Sequence, residues 1–251
     1  MEQGLRVCDA DLTEATGTVP VGGAPKGMSG AAQLRSYPRV VGSGGGAGVS
    51  WISADASAAR SSKIVELLIR LFDIFGSFGI VVVAFPLMVV SALLVKLTSA
   101  GPVLYRQERV GKNGRLFVLY KFRTMIDGAE KHVGPVWAAK DDQRITPLGR
   151  ILRRTRLDEL PQLYNILRGD MSLVGPRPER PYFVQRHKAL QGARLAVKPG
   201  LTGLAQVRSF YDLKPAHKVK YDYLYIQKRS LLLNVYILLR TIPVLFTKKG
   251  W

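Results

Sequence analysis

The sequence predicts a mostly helical α+β fold in which a membrane-inserted helix precedes a domain at the membrane surface. Three observations predict it. A 22-residue segment, 74–95, contains no charged residue. Beyond it, a two-residue turn signal separates stretches of strand-forming residues, and the remainder alternates short apolar runs with basic residues, glycine and proline. The chain therefore divides into a tail (1–58), a membrane segment (59–97) and a folded domain (98–251).

The tail is rich in glycine and has little apolar periodicity. Ten glycines fall between positions 17 and 50, a composition typical of disordered linkers. Its GSGGGAG stretch (42–48) lacks the preceding strand and the Gly-Lys-Ser/Thr ending of a phosphate-binding loop. The single cysteine of the chain, Cys8, also lies here, so no disulfide can form within the chain.

The net charge of +19 comes entirely from the second part of the chain. Residues 96–251 hold 30 Lys/Arg and 11 Asp/Glu, whereas residues 1–95 hold seven of each. Such an excess suits nucleic acid, anionic lipid headgroups or phosphorylated substrates. No nucleic-acid-binding motif accompanies it, so we expect no nucleic-acid partner. A membrane-tethered basic binding protein is the alternative from another functional class.

The uncharged segment Ile74–Val95 would measure roughly 33 Å as a straight helix, which is enough to cross a bilayer. Pro86 lies at its centre, where it removes one backbone donor and bends a helix. Basic residues flank both ends: Arg60, Lys63 and Arg70 before it, and Lys96, Arg106, Arg109 and Lys112 after it. Since both flanks are basic, the positive-inside rule does not place them on opposite sides, and we predict a re-entrant helix with both ends on the cytoplasmic face. A kinked single span is the alternative.

Local signals define two elements of the domain. Asn113-Gly114 between strand-forming residues predicts a β-hairpin. Thr146 is placed to cap a helix that begins at Pro147. The expected apolar stripe of this helix is Leu148, Ile151 and Leu152, and the expected polar remainder is Arg150, Arg153, Arg154 and Arg156.

The C-terminal stretch, 221–251, alternates tyrosines, basic residues and leucines. No part of it is both long and apolar enough to cross a bilayer. Two interpretations stay open. The stretch forms amphipathic helices in the headgroup layer, with tyrosine and tryptophan at the interface, or it forms helices packed on the domain core.

Residues 153–181 crowd carboxylates and arginines beside prolines. With Asp158 as N-cap, Pro161 falls in the first turn, where its missing N–H is not needed. A short helix, Glu159–Arg168, would then end at Gly169. The helix macrodipole would favour the ionised form of both carboxyl groups.

This carboxylate pair has the residue types that phosphate chemistry needs. An ionised Asp158 near arginines can attack phosphorus, and Glu159 can hold Mg²⁺. Farther on, Pro176 and Pro178 hold Arg177 on a stiff, extended backbone, from which a guanidinium can bind phosphate through two hydrogen bonds. The alternatives are an ordinary capping pair and a surface turn that contains an arginine.

Three motifs occur in a recognisable order. They are LYRQERVGKNGRLFVLYKFRTM (104–125), RRTRLDELPQLYNILRGDMSLVGPRPE (153–179) and KPGLTGLAQV (198–207). Together they resemble the bacterial sugar transferases, the monotopic polyprenyl-phosphate phosphoglycosyl transferases. The similarity extends from about residue 64 to residue 248. Larger relatives carry four further membrane helices before this core, so the resemblance implies a minimal form here.

The resemblance implies an enzyme of the inner membrane with its catalytic domain on the cytoplasmic face. Members transfer a hexose-1-phosphate from a UDP-sugar to undecaprenyl phosphate, which gives undecaprenyl-diphospho-sugar and UMP and begins exopolysaccharide, capsule or O-antigen synthesis. Mg²⁺ is the implied cofactor. The implied partners are the UDP-sugar, the polyprenyl phosphate and the membrane, and a homo-oligomer is compatible with them. Alternatives are a direct glycosyltransferase that releases UDP and an inactive or partner-dependent homologue.

The resemblance also implies roles for residues at matching positions. Asp158 would be the nucleophile that takes the phospho-sugar covalently, and Asp158 and Glu159 would be the metal ligands. Further implied substrate-binding residues are Pro176, Arg177, Pro178, Lys121, Arg123, Arg156 and Gln206, and Pro86 would break the membrane helix.

Two departures from the family pattern concern recognition of the sugar and the nucleotide. Many relatives have Gly-Arg after the Gln-Val pair, where this chain has Arg208-Ser209. Many relatives have Asp where this chain has Asn234, although Asp222 matches an acidic family position.

Overall fold

The computed structural model describes residues 62–130, 142–208 and 215–246, with side chains of the last range at 219–244. The predicted tail lies outside these ranges. The helices and strands are α1 (Lys63–Thr98), β1 (Leu104–Val110), β2 (Leu116–Phe122), α2 (Pro147–Arg154), α3 (Gln162–Arg168), β3 (Ser172–Val174), α4 (Pro181–Arg186), β4 (Gly200–Thr202), α5 (Leu204–Arg208), α6 (Pro215–Gln227) and α7 (Leu231–Phe246). Strands β1 and β2 pair antiparallel, and β3 and β4 pair parallel. The predicted mostly helical α+β class is confirmed.

Helix α1 has 36 residues and is long and apolar enough to cross a membrane. The side chain of Ser62 accepts a hydrogen bond from the N–H of Val65 at its start, and the helix continues through Pro86. Its buried residues, Ile69, Asp73, Ser77, Ser91 and Val95, follow one another along one stripe. The opposite side is apolar and exposed, with Val83 at 83% and Leu97 at 80%.

The predicted hairpin is confirmed. Val110 pairs with Leu116 across its end, and both Asn113 (φ 57°) and Gly114 (φ 73°) have the left-handed backbone that such turns require. The outer edge of β2 is closed by Asn165, whose amide donates to the carbonyl of Val118 at 2.7 Å and accepts from the N–H of Tyr120 at 3.2 Å. The hairpin is thereby fixed against α3.

Helix α2 begins as predicted, with the Thr146 hydroxyl accepting from the N–H of Gly149 at 2.9 Å. Its predicted stripe was partly wrong. Leu152 is buried, but Ile151 is 59% exposed and Arg153 is only 9% exposed. Arg153 turns inward because its Nε donates to the hydroxyl of Thr124 at 2.7 Å. A Cβ at Gly149 would lie 2.0 Å from the carbonyl oxygen of Thr124, so only glycine allows α2 to approach this closely.

The predicted helix Glu159–Arg168 ends as expected but begins differently. Gly169 (φ 101°) closes it, donating to the carbonyls of Asn165 and Ile166. Its first part is a separate 3-10 turn, Leu157–Glu159, and α3 proper begins at Gln162. No side chain caps α3, so the prediction of Asp158 as N-cap was wrong. Pro161 takes that place, and the turn before it has i→i−3 bonds instead.

Three hydrophobic clusters hold these elements together. The largest joins α3, β3, α6 and α7, with Leu163, Ile166 and Leu173 at its centre and Phe72 of α1 against it. A second lies under α4 and α6 and contains no α1 residue among the described ones. The third joins the second half of α1 to α2 through Val95 and Leu152. Helix α1 therefore contacts the domain near both of its ends.

Helix α7 combines the two interpretations of the C-terminal stretch. One face is buried, with Asn234 and Ile237 at 0% exposure. The other face is apolar and open, with Leu232 at 83%, Leu239 at 62% and Ile242 at 52%. The helix thus packs on the core and also presents an apolar face outward.

Candidate active site

The carboxylate pair and the Pro-Arg-Pro loop meet in the structure. Arg177 Nη2 donates to Glu159 Oε1 at 2.6 Å, and Arg156 Nη1 lies 3.9 Å from the same oxygen. The Glu159 side chain is 12% exposed, whereas that of Arg177 is 39% exposed. Burial would raise the pKa of Glu159, but the charge of Arg177 and then of Arg156 holds it below the ordinary value. Glu159 is therefore ionised at neutral pH.

Asp158 is 6% exposed. Burial, followed by the charge of Glu159, raises its pKa to about 6, although nearby Lys121, Arg153 and Arg156 act in the opposite direction. The expectation that a helix macrodipole favours the ionised form was therefore wrong in direction for Asp158. Asp158 lies in a 3-10 turn and begins no α-helix. Loss of solvation on burial outweighs the favourable charges of the nearby cations. Even so, a carboxyl group with a pKa near 6 is mostly ionised at pH 7.

Lys121, at the end of β2, is the cation with the largest effect on Asp158. Burial lowers its pKa to about 8, while the charge of Asp158 opposes that shift. Its Nζ lies 5.3 Å from the ring centroid of Tyr105. With Arg153, Arg156 and Arg177, it makes four cations around two carboxylates. Such a site has a net positive charge and suits a polyanion such as a diphosphate.

The Pro-Arg-Pro loop is fixed through its backbone. The carbonyls of four consecutive residues, 176–179, all accept hydrogen bonds. Their donors are the N–H of Gly200 (2.9 Å), Arg194 Nη2 (2.6 Å), Arg109 Nη1 (3.0 Å) and the N–H of Val110 (3.0 Å). These donors come from three separate parts of the chain. Arg177 is therefore held in place from its own main chain, as the flanking prolines predicted.

Arg194 connects this loop to α6. It is 5% exposed, its Nε donates to Asp222 at 2.8 Å, and its Nη2 donates to the carbonyl of Arg177. Asp222 is 3% exposed. A buried ion pair is costly to break, so this pair fixes the position of the Arg177 backbone relative to α6.

Helix α1 binds the segment that joins the carboxylate pair to the Pro-Arg-Pro loop. Arg70 donates to the carbonyls of Ile166 (2.6 Å) and Leu167 (2.7 Å) at the end of α3. One turn later, Asp73 accepts from the hydroxyl of Ser172 and the N–H of Leu173, both at 2.9 Å. The first half of α1 is thus part of the scaffold of the site.

Three residues predicted for the site have other surroundings. Arg123 is 5% exposed, and its Nη2 donates to the backbone and hydroxyl of Ser99 at the end of α1. The side chain of Gln206, on α5, donates to the carbonyl of Leu201 at 3.3 Å. Pro86 lies on the exposed side of α1. The structure brings together Asp158, Glu159, Lys121, Arg156 and Arg177, whereas the hydrogen bonds of Arg123 and Gln206 described above go to other parts of the chain.

The fit of Mg²⁺ can be judged from the donor set. The described residues contain no group of three or more His, Cys, Asp or Glu that could hold a metal ion. Asp158 and Glu159 offer two carboxylates, and the second oxygen of Glu159, Oε2, is not the one that Arg177 contacts. Mg²⁺ is commonly held by one or two carboxylates together with substrate phosphates. The residues present therefore fit a cation that binds together with a diphosphate.

Sequence analysis missed several residues that build the site, chiefly Arg153, Arg194, Asn165 and Arg70. Each is a polar residue turned inward toward a partner far along the chain. Arg194 and Asp222 are 28 positions apart, and Asn165 and Val118 are 47 apart. The one available signal was Arg70, a basic residue within one turn of the uncharged segment, and it was interpreted only as a flanking charge.

Comparison with known proteins shows the family to which the chain is similar. The bacterial sugar transferase family model matches residues 64–248. The chain is 42% identical over 195 residues to the UDP-N-acetylgalactosamine-undecaprenyl-phosphate N-acetylgalactosaminephosphotransferase of Aeromonas hydrophila, a match over 75% of this chain and 46% of that protein. It is 41% identical over 194 residues to the UDP-glucose:undecaprenyl-phosphate glucose-1-phosphate transferase of Caulobacter vibrioides, over 73% and 71%.

A third relative, an exopolysaccharide production protein of Rhizobium leguminosarum, is 38% identical over 74% of this chain and 98% of its own length. The chain spans about half the length of the Aeromonas relative, at 46%, but nearly all of the Rhizobium one. The matched region includes every residue of the candidate site. The chain belongs to the bacterial sugar transferase family.

Proposed function

We propose that the protein transfers a hexose-1-phosphate from a UDP-sugar to undecaprenyl phosphate and releases UMP. Such a reaction would begin the synthesis of an exopolysaccharide, capsule or O-antigen. The observation that carries this proposal is the placement of Asp158 and Glu159 among Lys121, Arg153, Arg156 and Arg177. Four cations favour a diphosphate donor, and an ionised carboxylate among them can act as a nucleophile. The names of the relatives support donor and acceptor of these classes.

The proposed reaction has two displacements at one phosphorus atom. First, a carboxylate oxygen of Asp158 attacks the sugar-bearing phosphorus, and the bond to the bridging oxygen breaks, so UMP leaves with that oxygen. An oxygen of the lipid phosphate then attacks the same phosphorus, and the bond to Asp158 breaks. Asp158 returns to its carboxylate form, so the enzyme is unchanged after one cycle. Arg177 would bind the phosphates through its exposed side.

Glu159 and Asp158 would hold Mg²⁺, which when bound supplies positive charge to the diphosphate. Without substrate, four cations near these carboxylates oppose the binding of another cation. We therefore expect Mg²⁺ to bind tightly only together with the nucleotide-sugar. The Arg177–Glu159 hydrogen bond, made through Oε1, restrains the orientation of this carboxylate.

A re-entrant arrangement of α1 is also part of the proposal. Near the start of α1, Asp73 contacts β3. Near its end, Val95 packs on α2 and Ser99 accepts a hydrogen bond from Arg123. All these partners belong to one domain. A helix that crossed the bilayer would put its two ends on opposite sides, where one domain could not contact both. Cysteines in place of Lys63 and Ala100, both exposed, in a Cys8→Ser background should be labelled from the same side of sealed inverted vesicles. Labelling from opposite sides would establish a span.

The test of the reaction uses the full chain with undecaprenyl phosphate and a panel of UDP-sugars. The expected product is UMP, and the donor alone, labelled at the β-phosphorus, should leave label on the protein. Asp158→Asn should lose both signals, whereas Glu108→Gln, a carboxyl-to-amide change on β1, should keep them. Release of UDP instead of UMP would indicate a direct glycosyltransferase. Full labelling of the Asp158→Asn variant would remove Asp158 as nucleophile.

A further inference from the structure

The hairpin places a tyrosine beside one cation of the candidate active site. Tyr105 on β1 pairs with Lys121 on β2, so both side chains project from the same face of the hairpin. The Lys121 ammonium lies 5.3 Å from the centroid of the Tyr105 ring, a distance at which an aromatic face attracts a cation. Within the described ranges, this ammonium makes no hydrogen bond and no ion pair. The ring is therefore the contact that can restrain this flexible side chain.

Tyr105 is itself fixed through its hydroxyl group. The hydroxyl donates to Glu130 Oε2 at 3.2 Å and accepts from Gln107 Nε2 at 2.8 Å. Burial and the charge of Glu130 raise the pKa of Tyr105 to about 12, so the phenol keeps its proton at neutral pH. Because the hydroxyl both donates and accepts, the ring has little freedom to turn.

The same hydrogen bonds connect the tyrosine to the Pro-Arg-Pro loop. Arg180, just beyond that loop, donates to Glu130 Oε2 at 2.5 Å. From β1, Arg109 donates through one nitrogen to Gln107 Oε1 and through the other to the carbonyl of Pro178, the latter at 3.0 Å. The contacts form a closed circuit from β1 to the loop and back. The tyrosine and the loop therefore hold each other in place.

The position of Lys121 matters because of its neighbour Asp158. Among the nearby cations, Lys121 does most to lower the pKa of that carboxyl group. A lysine ammonium is a point charge on a flexible four-carbon stem, whose rotamer freedom must be restricted to keep the charge in one place. A loss of that restraint would remove the cation from the carboxylate.

We propose that Tyr105 is a positioning residue, whose ring, fixed by Glu130 and Gln107, holds the Lys121 ammonium beside Asp158. An aromatic face attracts the cation without occupying its N–H donors as a carboxylate would. The donors therefore stay available to the phosphates of a substrate. This availability rests on the proposed function, whereas the effect on Asp158 does not depend on it.

The effect on Asp158 is measured without turnover, by thermal unfolding of the full chain in nanodiscs at pH 7. Asp158→Asn is made in the wild type and in Tyr105→Leu, which removes the ring. Once the ammonium moves away, the pKa of Asp158 should rise by roughly one unit. Asp158→Asn should therefore raise the melting temperature by about 2–4 °C more in Tyr105→Leu than in the wild type. Comparing differences also removes any loss of stability that Tyr105→Leu causes by itself.

Three further variants identify the cause. Tyr120→Leu removes a ring from the other face of the same hairpin, where it contacts Arg106, and should leave the effect of Asp158→Asn as in the wild type. In a Lys121→Met background, Tyr105→Leu should add nothing to that effect, because the cation is already absent. Tyr105→Phe keeps the ring but loses both hydrogen bonds of the hydroxyl, so its effect should be smaller than that of Tyr105→Leu.

Labelling of the protein by the donor alone provides a second measurement, which requires the proposed function. The pH midpoint of labelling should rise by roughly one unit in Tyr105→Leu and stay unchanged in Tyr120→Leu. A chain that gives the expected unfolding results but is never labelled would refute the proposed function and leave the role of Tyr105 standing.

Three unfolding results would overturn the proposal. One is an equal effect of Asp158→Asn in the wild type and in Tyr105→Leu. Another is the same increase in Tyr120→Leu, which would mean that any weakening of the hairpin produces it. The third is an increase that persists when Lys121 is methionine. A Tyr105→Phe variant that behaves as the wild type would overturn the part assigned to the hydroxyl and its partners.

Discussion

Replacing Asp158 by asparagine should stabilise the folded protein while it abolishes the proposed chemistry. Asp158 is 6% exposed and lies beside the ionised Glu159. Its pKa is about 6 in the folded protein, against an ordinary value of 3.8. The native structure therefore disfavours the charged form that must be present at neutral pH. Asparagine has nearly the same shape and no charge.

The magnitude follows from the two pKa values. One pKa unit corresponds to about 1.4 kcal/mol, so the ionised carboxylate costs about 3 kcal/mol of folding free energy at pH 7. The stabilising charges of Lys121, Arg153 and Arg156 are already contained in the folded pKa. For a chain of this size, about 3 kcal/mol corresponds to a melting temperature roughly 6–12 °C higher.

The dependence on pH gives the prediction its sign. Because the folded protein binds the proton near pH 6 and the unfolded chain only near 3.8, lowering the pH stabilises the wild type relative to the variant. The difference of about 3 kcal/mol at pH 7 should shrink to about 1 kcal/mol at pH 4.5. Thermal unfolding of both proteins in nanodiscs at the two pH values measures this, with Glu108→Gln as the matched control.

A wild type more stable than Asp158→Asn at pH 7 would refute the reasoning, since it would mean that the carboxylate gains more from its cations than it loses by burial. A stability difference that is the same at pH 7 and pH 4.5 would also refute it. In that case the effect of the substitution would come from shape or hydrogen bonding and not from charge.

Three further predictions concern the same site. Labelling of the protein by the donor alone should fall as the pH drops through about 6, because Asp158 must be deprotonated to attack. The lipid is omitted so that titration of the acceptor phosphate does not affect the result. A midpoint of the labelling curve near pH 4 would contradict the prediction. Asp222→Asn should destabilise the fold by about 3 kcal/mol, measured by thermal unfolding, because it leaves the buried Arg194 with only Glu179, at 4.0 Å, as a carboxylate partner. Arg194→Lys keeps the charge but cannot bind Asp222 and the Arg177 carbonyl through two separate nitrogens. The kcat/KM for UMP release should therefore fall about 10-fold, with a smaller loss of stability than in Asp222→Asn. The control Lys188→Gln should change neither kcat/KM nor stability.

Sequence alone predicted those elements whose boundaries are set by backbone chemistry. Asn113-Gly114 gave a hairpin because both residues accept positive φ, and Thr146 and Gly169 gave helix ends because a hydroxyl can cap and a glycine can turn. These effects involve residues within a few positions of one another. No knowledge of the tertiary fold is needed to find them.

The errors arose where a distant partner decides the outcome. Ile151 and Arg153 exchange their expected environments because Thr124, 29 positions from Arg153, offers an inward acceptor. The carboxylate pair was recognised, but the pKa of Asp158 depends on how deeply it is buried, which periodicity does not show. The four carbonyl contacts of the Pro-Arg-Pro loop depend on donors from separate segments. Prolines indicated a stiff loop without indicating what holds it.

The contacts of Arg70 and Asp73 have a practical consequence for anyone who wishes to work with a water-soluble version of this protein. Deleting α1 would leave the carbonyls of Ile166 and Leu167, near the end of α3, without their arginine donor and the N–H of Leu173 without its acceptor. It would also uncover the apolar side chains on which Phe72 and Val81 rest. A truncated chain should therefore be recovered aggregated or misfolded. Preparing an intact catalytic domain requires a chain that keeps α1, held in detergent or lipid.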